Sequence, residues 1–249
     1  MLIIEWPQFL KNGLPVEQKF SSMTVGVFDG VHRGHRLLIE RVVSHNTGNV
    51  PVVVTFVQNH KAKEKAHNIL SFRQKTAIFE KLGIEITLVI DFTESFRRMS
   101  GTEFLNILLE HGKAGFLAVG NNFRCGYRLD TNAAAIQQFF SSRNVPVEIV
   151  PEVTEDSLSI SSSRIRSAIA AGNLPQTRKM LQAPYTIDLA EPTHFVLPPP
   201  GKYQVILRKR PEDEGTRAAL LIEGETIRIP EPFTDADWEF AEFATEPAR

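Results

Sequence analysis

The sequence predicts an α/β fold, a parallel sheet flanked by helices, with a small C-terminal β segment appended. Three observations predict it. Short apolar runs without polar alternation, such as Pro51-Val52-Val53-Val54-Thr55-Phe56, recur between stretches of helical periodicity as far as Val150. Such runs suit strands covered on both faces, and their alternation with helices makes a parallel sheet with right-handed crossovers. One apolar strand runs through a glycine turn directly into a helix, which sets unpaired backbone N–H groups at the helix mouth. Beyond Pro184 the alternation stops, and prolines separate short β-like runs.

Taken in order, residues 1–20 read as a leading strand and a loop, and residues 23–27 as a buried strand. Residues 33–44 carry Leu37, Leu38, Ile39, Val42 and Val43 at helical spacing. The strand at 51–56 is followed by a polar, lysine-containing loop over 58–67. Residues 71–82 form a helix on Ala77, Ile78, Phe79 and Leu82, closed by Gly83 as a C-cap. Strands at 86–90, 116–120 and 147–150 alternate with helices at 101–111, stopped by Gly112, and at 131–142. In such sheets ligands meet the carboxyl ends of the strands. The polar segments there are 28–35, 56–60, 91–96 and 120–130.

The last quarter reads as strands at 194–197, 203–207, 218–222 and 225–229, with a hairpin turn at Glu223-Gly224. Pro198-Pro199-Pro200-Gly201 is a connector, and the acidic, aromatic stretch 235–244 is expected to be a short helix. The domain expectation is 1–184 for the α/β part and 185–249 for the β segment.

A chain of 249 residues fits one large domain or one domain plus a small one. A net charge of −1 argues against nucleic acid as a partner, which needs a basic face. Cys125 is the only cysteine, so neither an intrachain disulfide nor a cysteine-cluster metal site can form. The first residues show neither a signal peptide nor a membrane span, so a cytoplasmic location is expected.

Chemistry concentrates in two places. In Met23-Thr24-Val25-Gly26-Val27-Phe28-Asp29-Gly30-Val31-His32-Arg33-Gly34-His35 a strand meets a helix N-terminus. Unpaired N–H groups and the helix dipole favour phosphate there, and Gly26, Gly30 and Gly34 let backbone approach it. His32 and His35 can donate hydrogen bonds to phosphate oxygens, although a lone histidine at such a position is more often a cap or a surface residue. In Ser159-Ile160-Ser161-Ser162-Ser163-Arg164-Ile165-Arg166 a serine caps the next helix. The plain reading is a cap with two solvated arginines; the functional one is a second anion site of hydroxyls, N–H groups and an arginine fork.

These stretches, with Val119-Gly120-Asn121-Asn122-Phe123-Arg124-Cys125-Gly126 between them, resemble the adenylyltransferase module of bacterial FAD synthetases over about the first three quarters of the chain. The resemblance implies a Rossmann-like nucleotidyltransferase core that transfers AMP from ATP to FMN, giving FAD and pyrophosphate. It implies ATP contacts along Gly26, Val27, Phe28, Asp29, Gly30 and Gly34, with His32 and His35 on the phosphates. It also implies phosphate contacts from Ser161, Ser162 and Ser163 with Arg166, and flavin contacts from Phe56, Asn122 and Phe123. Mg²⁺ is expected on phosphates and water, with no protein metal site.

Three departures stand out. Phe56-Val57-Gln58-Asn59-His60 lies where the family carries Phe-x-Pro-His-Pro, and Ser163 stands where threonine is usual. The kinase module that accompanies such proteins carries Gly-Arg-x-x-Gly-x-Pro-Thr-x-Asn, and nothing like it lies between Tyr185 and Arg249. Residues 185–249 then read as a reduced remnant without riboflavin kinase activity, open to self-association through unpaired strand edges. The rival readings are a nucleotidyltransferase for another phosphate acceptor and a flavin-binding protein without catalysis.

Overall fold

The computed structural model describes residues 1–16, 19–45, 48–57, 67–190, 195–234 and 237–244. The chain forms two compact units, each interrupted in sequence. The first comprises Met1–Phe28, Gly34–Ala62 and Thr76–Glu152; the second comprises Asp29–Arg33, Lys63–Lys75 and Val153–Arg249.

The first unit is the parallel α/β layer. Its elements are β1 (Leu2–Glu5), α1 (Trp6–Asn12), β2 (Ser21–Val25), α2 (Arg33–Ser44), β3 (Val50–Val57), α3 (Phe72–Lys81) and β4 (Ile86–Asp91), apart from Arg33 of α2 and residues 72–75 of α3, which fall in the second unit. They continue with α4 (Glu94–Arg97), α5 (Gly101–Glu110), β5 (Ala114–Gly120), β6 (Arg124–Cys125), β7 (Thr131–Asn132), α6 (Ala133–Ser141) and β8 (Val147–Val150). The six-stranded sheet runs β1-β4-β3-β2-β5-β8, all parallel. From β2 the chain builds outward to β3 and β4 on one side, then returns to build β5 and β8 on the other. That reversal makes β2 and β5 the switch point of the sheet, and in this class of sheet ligands bind at the carboxyl ends of the switch-point strands. Met23, Val52, Val54, Leu88 and Leu117 are buried in its core.

The second unit contains β9 (Thr154–Glu155), β10 (Leu158–Ser159), α7 (Ser162–Ala170), α8 (Leu174–Leu181) and a five-stranded antiparallel sheet. That sheet is formed by β11 (Thr186–Asp188), β12 (Gly201–Arg208), β13 (Thr216–Glu223), β14 (Thr226–Arg228) and β15 (Phe240–Phe243), in the order β11-β15-β12-β13-β14. Its edges are the three-residue strands β11 and β14. Among the described residues no helix is long and apolar enough to cross a membrane.

The predicted strand and helix order of the first 170 residues stands, with the helices α1 and α4 and the two-residue strands β6, β7, β9 and β10 added, and a further helix, α8, follows. Residues 6–12, expected as loop, form α1: Pro7 sits in the first turn, where its missing N–H costs nothing, and Trp6 and Phe9 bury one face. Within the expected polar segment 91–96, Thr93 caps the short α4. The unexpected α8 is capped by Asn173, with Pro175 in its first turn.

Two expectations fail near the C-terminus. Residues 240–243 are a strand, not a helix, because β15 fills the gap between β11 and β12 and buries Phe240, Ala241 and Phe243. The run 194–197 is no strand: Phe195 makes a single bridge to Asn68, and His194 lies outside the described residues. The expected loop at 58–67 falls outside them too, except for His67. The hairpin turn is Gly224-Glu225, since Glu223 still pairs with Thr226.

Candidate active site

Beyond β2 the strand pairing continues for one more residue. Gly26 N donates to the Val54 carbonyl at 3.0 Å, and Thr55 Oγ1 donates to the Val27 carbonyl at 3.2 Å. The backbone then turns sharply through the left-handed region, with φ of 54° at Phe28, 84° at Gly30 and 37° at Val31. Such angles cost about 1–3 kcal/mol at a residue with a side chain and persist where packing over-determines them. Phe28 and Val31 are both completely buried. At Gly30 a Cβ would lie 3.2 Å from Ile69 and 3.3 Å from Leu181, so the tight turn also needs glycine for space.

Phe28 orients His35 within the first unit. Its ring meets the imidazole edge-on at 5.1 Å and Phe79 at 5.5 Å. His35 is half-buried in the first turn of α2. His32 is 6% exposed, and burial pushes its imidazole down to about 4. At neutral pH it is uncharged and offers one ring N–H as donor.

In the second unit Asp29 is the hub. Its Oδ1 accepts from the Ile69 N–H at 3.0 Å and the Leu70 N–H at 3.4 Å, and its Oδ2 accepts from Arg166 Nη2 at 2.5 Å. Its main-chain carbonyl accepts from Ser162 Oγ at 2.8 Å. Burial pushes the Asp29 carboxyl up; Arg166, the two N–H groups and Lys75 pull against that without cancelling it. Arg166 also donates from Nε to the His67 carbonyl at 2.9 Å. A guanidinium has five N–H donors, so these two bonds fix the plane of Arg166 and leave three that are not engaged among the described residues.

The serines divide their work. Ser161 is the N-cap of α7 and accepts from the Arg164 N–H at 3.2 Å, which leaves its own proton for donation. The Ser162 proton is committed to Asp29. Ser161 and Ser163 are exposed at the helix mouth. Arg164, read at first as a companion of Arg166, instead ties down the β9-β10 hairpin through the carbonyls of Glu155 (2.9 Å) and Leu158 (2.7 Å). Arg33 pairs with Glu155 of the same hairpin.

The residues expected at the flavin lie in the first unit. Phe56 is buried near the end of β3, stacked on Phe92 at 4.7 Å. Asn122 is exposed after β5 and donates from Nδ2 to Glu152 Oε1 at 3.3 Å, while Phe123 packs partly against the core. Gln58, Asn59 and His60 lie outside the described residues.

The structure thus joins Asp29, Ser162 and Arg166 directly. Gly26, Val27, Phe28, Gly34 and His35 belong to the first unit, and Asp29, Gly30 and His32 to the second. Sequence reasoning missed Lys75, which is 6% exposed and whose ammonium lies 5.6 Å from the Phe72 ring centroid. Burial pushes it down to about 8, against the opposing pull of Asp29. The signal was present, because Lys75 shares the buried face of α3 with Phe79 at i+4.

A six-stranded parallel sheet with helices in its crossovers defines an α/β protein of the Rossmann-like class. Residues 14–164 match the FAD synthetase family, so the chain belongs to that family. The bifunctional riboflavin kinase/FMN adenylyltransferase of Escherichia coli K12 is 29% identical over 173 residues, covering 67% of this chain and 55% of the relative. The protein of the same description from Listeria monocytogenes is 30% identical over 176 residues, covering 66% of this chain and 54% of the relative. In these matches the chain spans little more than half the length of its curated relatives. A solved structure described as a macrolide-efflux protein from Streptococcus pneumoniae shares the fold with a TM-score of 0.80 at 21% identity, covering 100% of this chain and 91% of that one.

Proposed function

We propose that this chain is an FMN adenylyltransferase: it transfers AMP from ATP to FMN, releases pyrophosphate, and does not phosphorylate riboflavin. The observation that carries the reading is the Asp29–Arg166 ion pair, which links two of the three stretches on which the resemblance to the family rests. Residues 1–184 would carry this activity and 185–249 a β-rich module.

The FMN phosphate is already nucleophilic at neutral pH, so no general base is needed. One of its oxygens attacks the α-phosphorus of ATP in line, and the bond from that phosphorus to the bridging oxygen breaks as pyrophosphate leaves. The protein's part is positioning and charge stabilisation. His32 and His35 donate to phosphate oxygens, Ser161 and Ser163 add hydroxyl donors, and the open edge of Arg166 neutralises the departing pyrophosphate. Gly26-Val27-Phe28, Gly30 and Gly34 line the nucleotide. Phe56, Asn122 and Phe123 serve the flavin.

Asp29 belongs to the turn that meets ATP and is also a positioning residue, since its carboxylate holds Arg166 and two N–H groups. Among the described residues no cluster of three or more His, Cys, Asp or Glu is placed to hold a metal. Mg²⁺ would arrive on the phosphates of ATP as part of the substrate.

A product assay tests the reading. The protein is incubated with ATP and Mg²⁺, once with FMN and once with riboflavin, and the flavins are separated by chromatography. FAD from FMN with riboflavin unchanged is expected. FMN from riboflavin would refute the loss of kinase activity, and no product from FMN would refute the acceptor.

A further inference from the structure

The five-stranded sheet lacks the kinase signature, yet it is bonded to the segment that holds Asp29. Residues 67–75 have two sets of partners, all within the second unit. One set is the candidate site: the His67 carbonyl takes Arg166 Nε, and the Ile69 and Leu70 N–H groups reach Asp29. The other set belongs to the C-terminal module. Asn68 bridges to Phe195 and its carbonyl takes the Val196 N–H at 3.0 Å, while Gln74 Nε2 donates to the Thr186 carbonyl at 2.9 Å.

The strongest of these ties is Asp188 on β11. It is 2% exposed and accepts from Ser71 Oγ at 2.7 Å and from Arg73 Nε at 2.5 Å, with Arg73 Nη2 closing a bidentate pair on its other oxygen. Arg73 Nη1 reaches Glu239 at 2.5 Å, and its guanidinium lies 4.4 Å from the Phe240 ring centroid on β15. Burial alone would push the Asp188 carboxyl up, but Arg73, Ser71 and the Ala190 N–H outweigh it and hold it below its usual value. A bidentate pair fixes orientation as well as distance. Residues 69–71 therefore lie between two buried carboxylates, Asp29 and Asp188.

We propose that the C-terminal sheet positions the Asp29–Arg166 pair through residues 67–75, with Asp188 and Arg73 as positioning residues for AMP transfer. This rests on the reading that Arg166 meets the phosphates of ATP. It gives the β module a task that needs no chemistry of its own: it fixes the strand of backbone that aims Arg166. A shift of about 1 Å in such a group is enough to cost on the order of a hundredfold in rate.

The test compares Asp188→Asn with Ile222→Ala, a truncation in the buried face of the same sheet that leaves the tie intact. FAD formation and amide hydrogen exchange at Ile69 and Leu70 are read for both, alongside thermal midpoints. Asp188→Asn is expected to lower kcat roughly ten- to a hundredfold with the KM for FMN unchanged, and to speed exchange at those two amides. Ile222→Ala, at an equal or larger loss of thermal midpoint, is expected to do neither. Unchanged kcat and exchange in Asp188→Asn would overturn the proposal, as would the same pattern in Ile222→Ala. If the unsubstituted protein makes no FAD, the functional reading fails by itself, and exchange at Ile69 and Leu70 still decides whether Asp188 positions this segment.

Discussion

Arg166 meets Asp29 at 2.5 Å, so within the second unit the helix capped by Ser161 is held to the segment Asp29–Arg33 by a charge-assisted bond. The pair is asymmetric. The Asp29 side chain is 4% exposed and that of Arg166 is 28% exposed, so the carboxylate is spent inside the protein while the guanidinium keeps an open edge. A buried carboxylate held by three hydrogen bonds is a fixed point, and a partly exposed arginine anchored on it is an aimed donor.

Asp29→Ala should therefore act first on stability. It strands the N–H groups of Ile69 and Leu70 and removes the counter-ion of Arg166. Breaking such a pair by deleting one partner costs roughly 2–4 kcal/mol once the exposure of Arg166 is allowed for. Urea denaturation at neutral pH measures it. A loss under about 0.5 kcal/mol, the range of an ordinary surface substitution, would show that the pair is not a structural anchor.

His35→Ala should act on rate instead. His35 is half-buried and packed on Phe28, and on the proposed mechanism its removal takes away one preorganised donor. A loss on the order of 10²–10³ in kcat is expected, with the circular dichroism spectrum unchanged. Turnover at the level of the unsubstituted protein would remove His35 from the transition state.

His32 makes the fold sensitive to acid. Its pKa is about 4 in the folded protein, against an ordinary 6.5. Between those values the unfolded chain binds the proton and the folded one does not, so stability falls as pH drops from 6.5 towards 4. The full window is worth up to ~3 kcal/mol. His32→Gln should flatten that part of the stability–pH curve, measured by urea unfolding at pH 7, 5.5 and 4. Parallel curves for the two proteins would mean that His32 is not the group responsible.

Much of the first unit was legible because its strands and helices obey local rules. Residues 33–44 show the apolar spacing of α2, and Gly83 and Gly112 follow helices as expected. The motif residues were legible as types, but their bonding was not. Nothing in sequence spacing tells that the Ser162 proton goes to the Asp29 carbonyl, 133 residues away, or that Arg164 binds a hairpin instead of facing a ligand. Residues 240–243 were misread because an acidic, aromatic run has no strong period, and the strand forms only where β11 and β12 leave a place for it. The ties of Arg73 and Ser71 to Asp188 span more than 100 residues, so tertiary contact alone defines them.

Lys75 makes the last prediction, at the alkaline end. A lysine on the buried face of α3 loses hydration in the folded state, and its pKa falls from the ordinary 10.5 to about 8. Between pH 8 and 10.5 the unfolded chain holds a proton that the folded chain has released, so this group makes stability rise with pH across that window. Lys75→Met removes the titration. The stability of the unsubstituted protein relative to the variant should then increase from pH 8 to pH 10.5, by up to ~3 kcal/mol. Below pH 8 the variant also escapes the cost of burying an ammonium, but it gives up the attraction of Asp29 for that charge. Urea unfolding of both proteins at pH 7.5, 9 and 10.5 separates these contributions, since only the first depends on pH in this range. A constant difference across the three pH values would mean that Lys75 stays charged throughout, its ammonium held by Asp29 against the pull of burial.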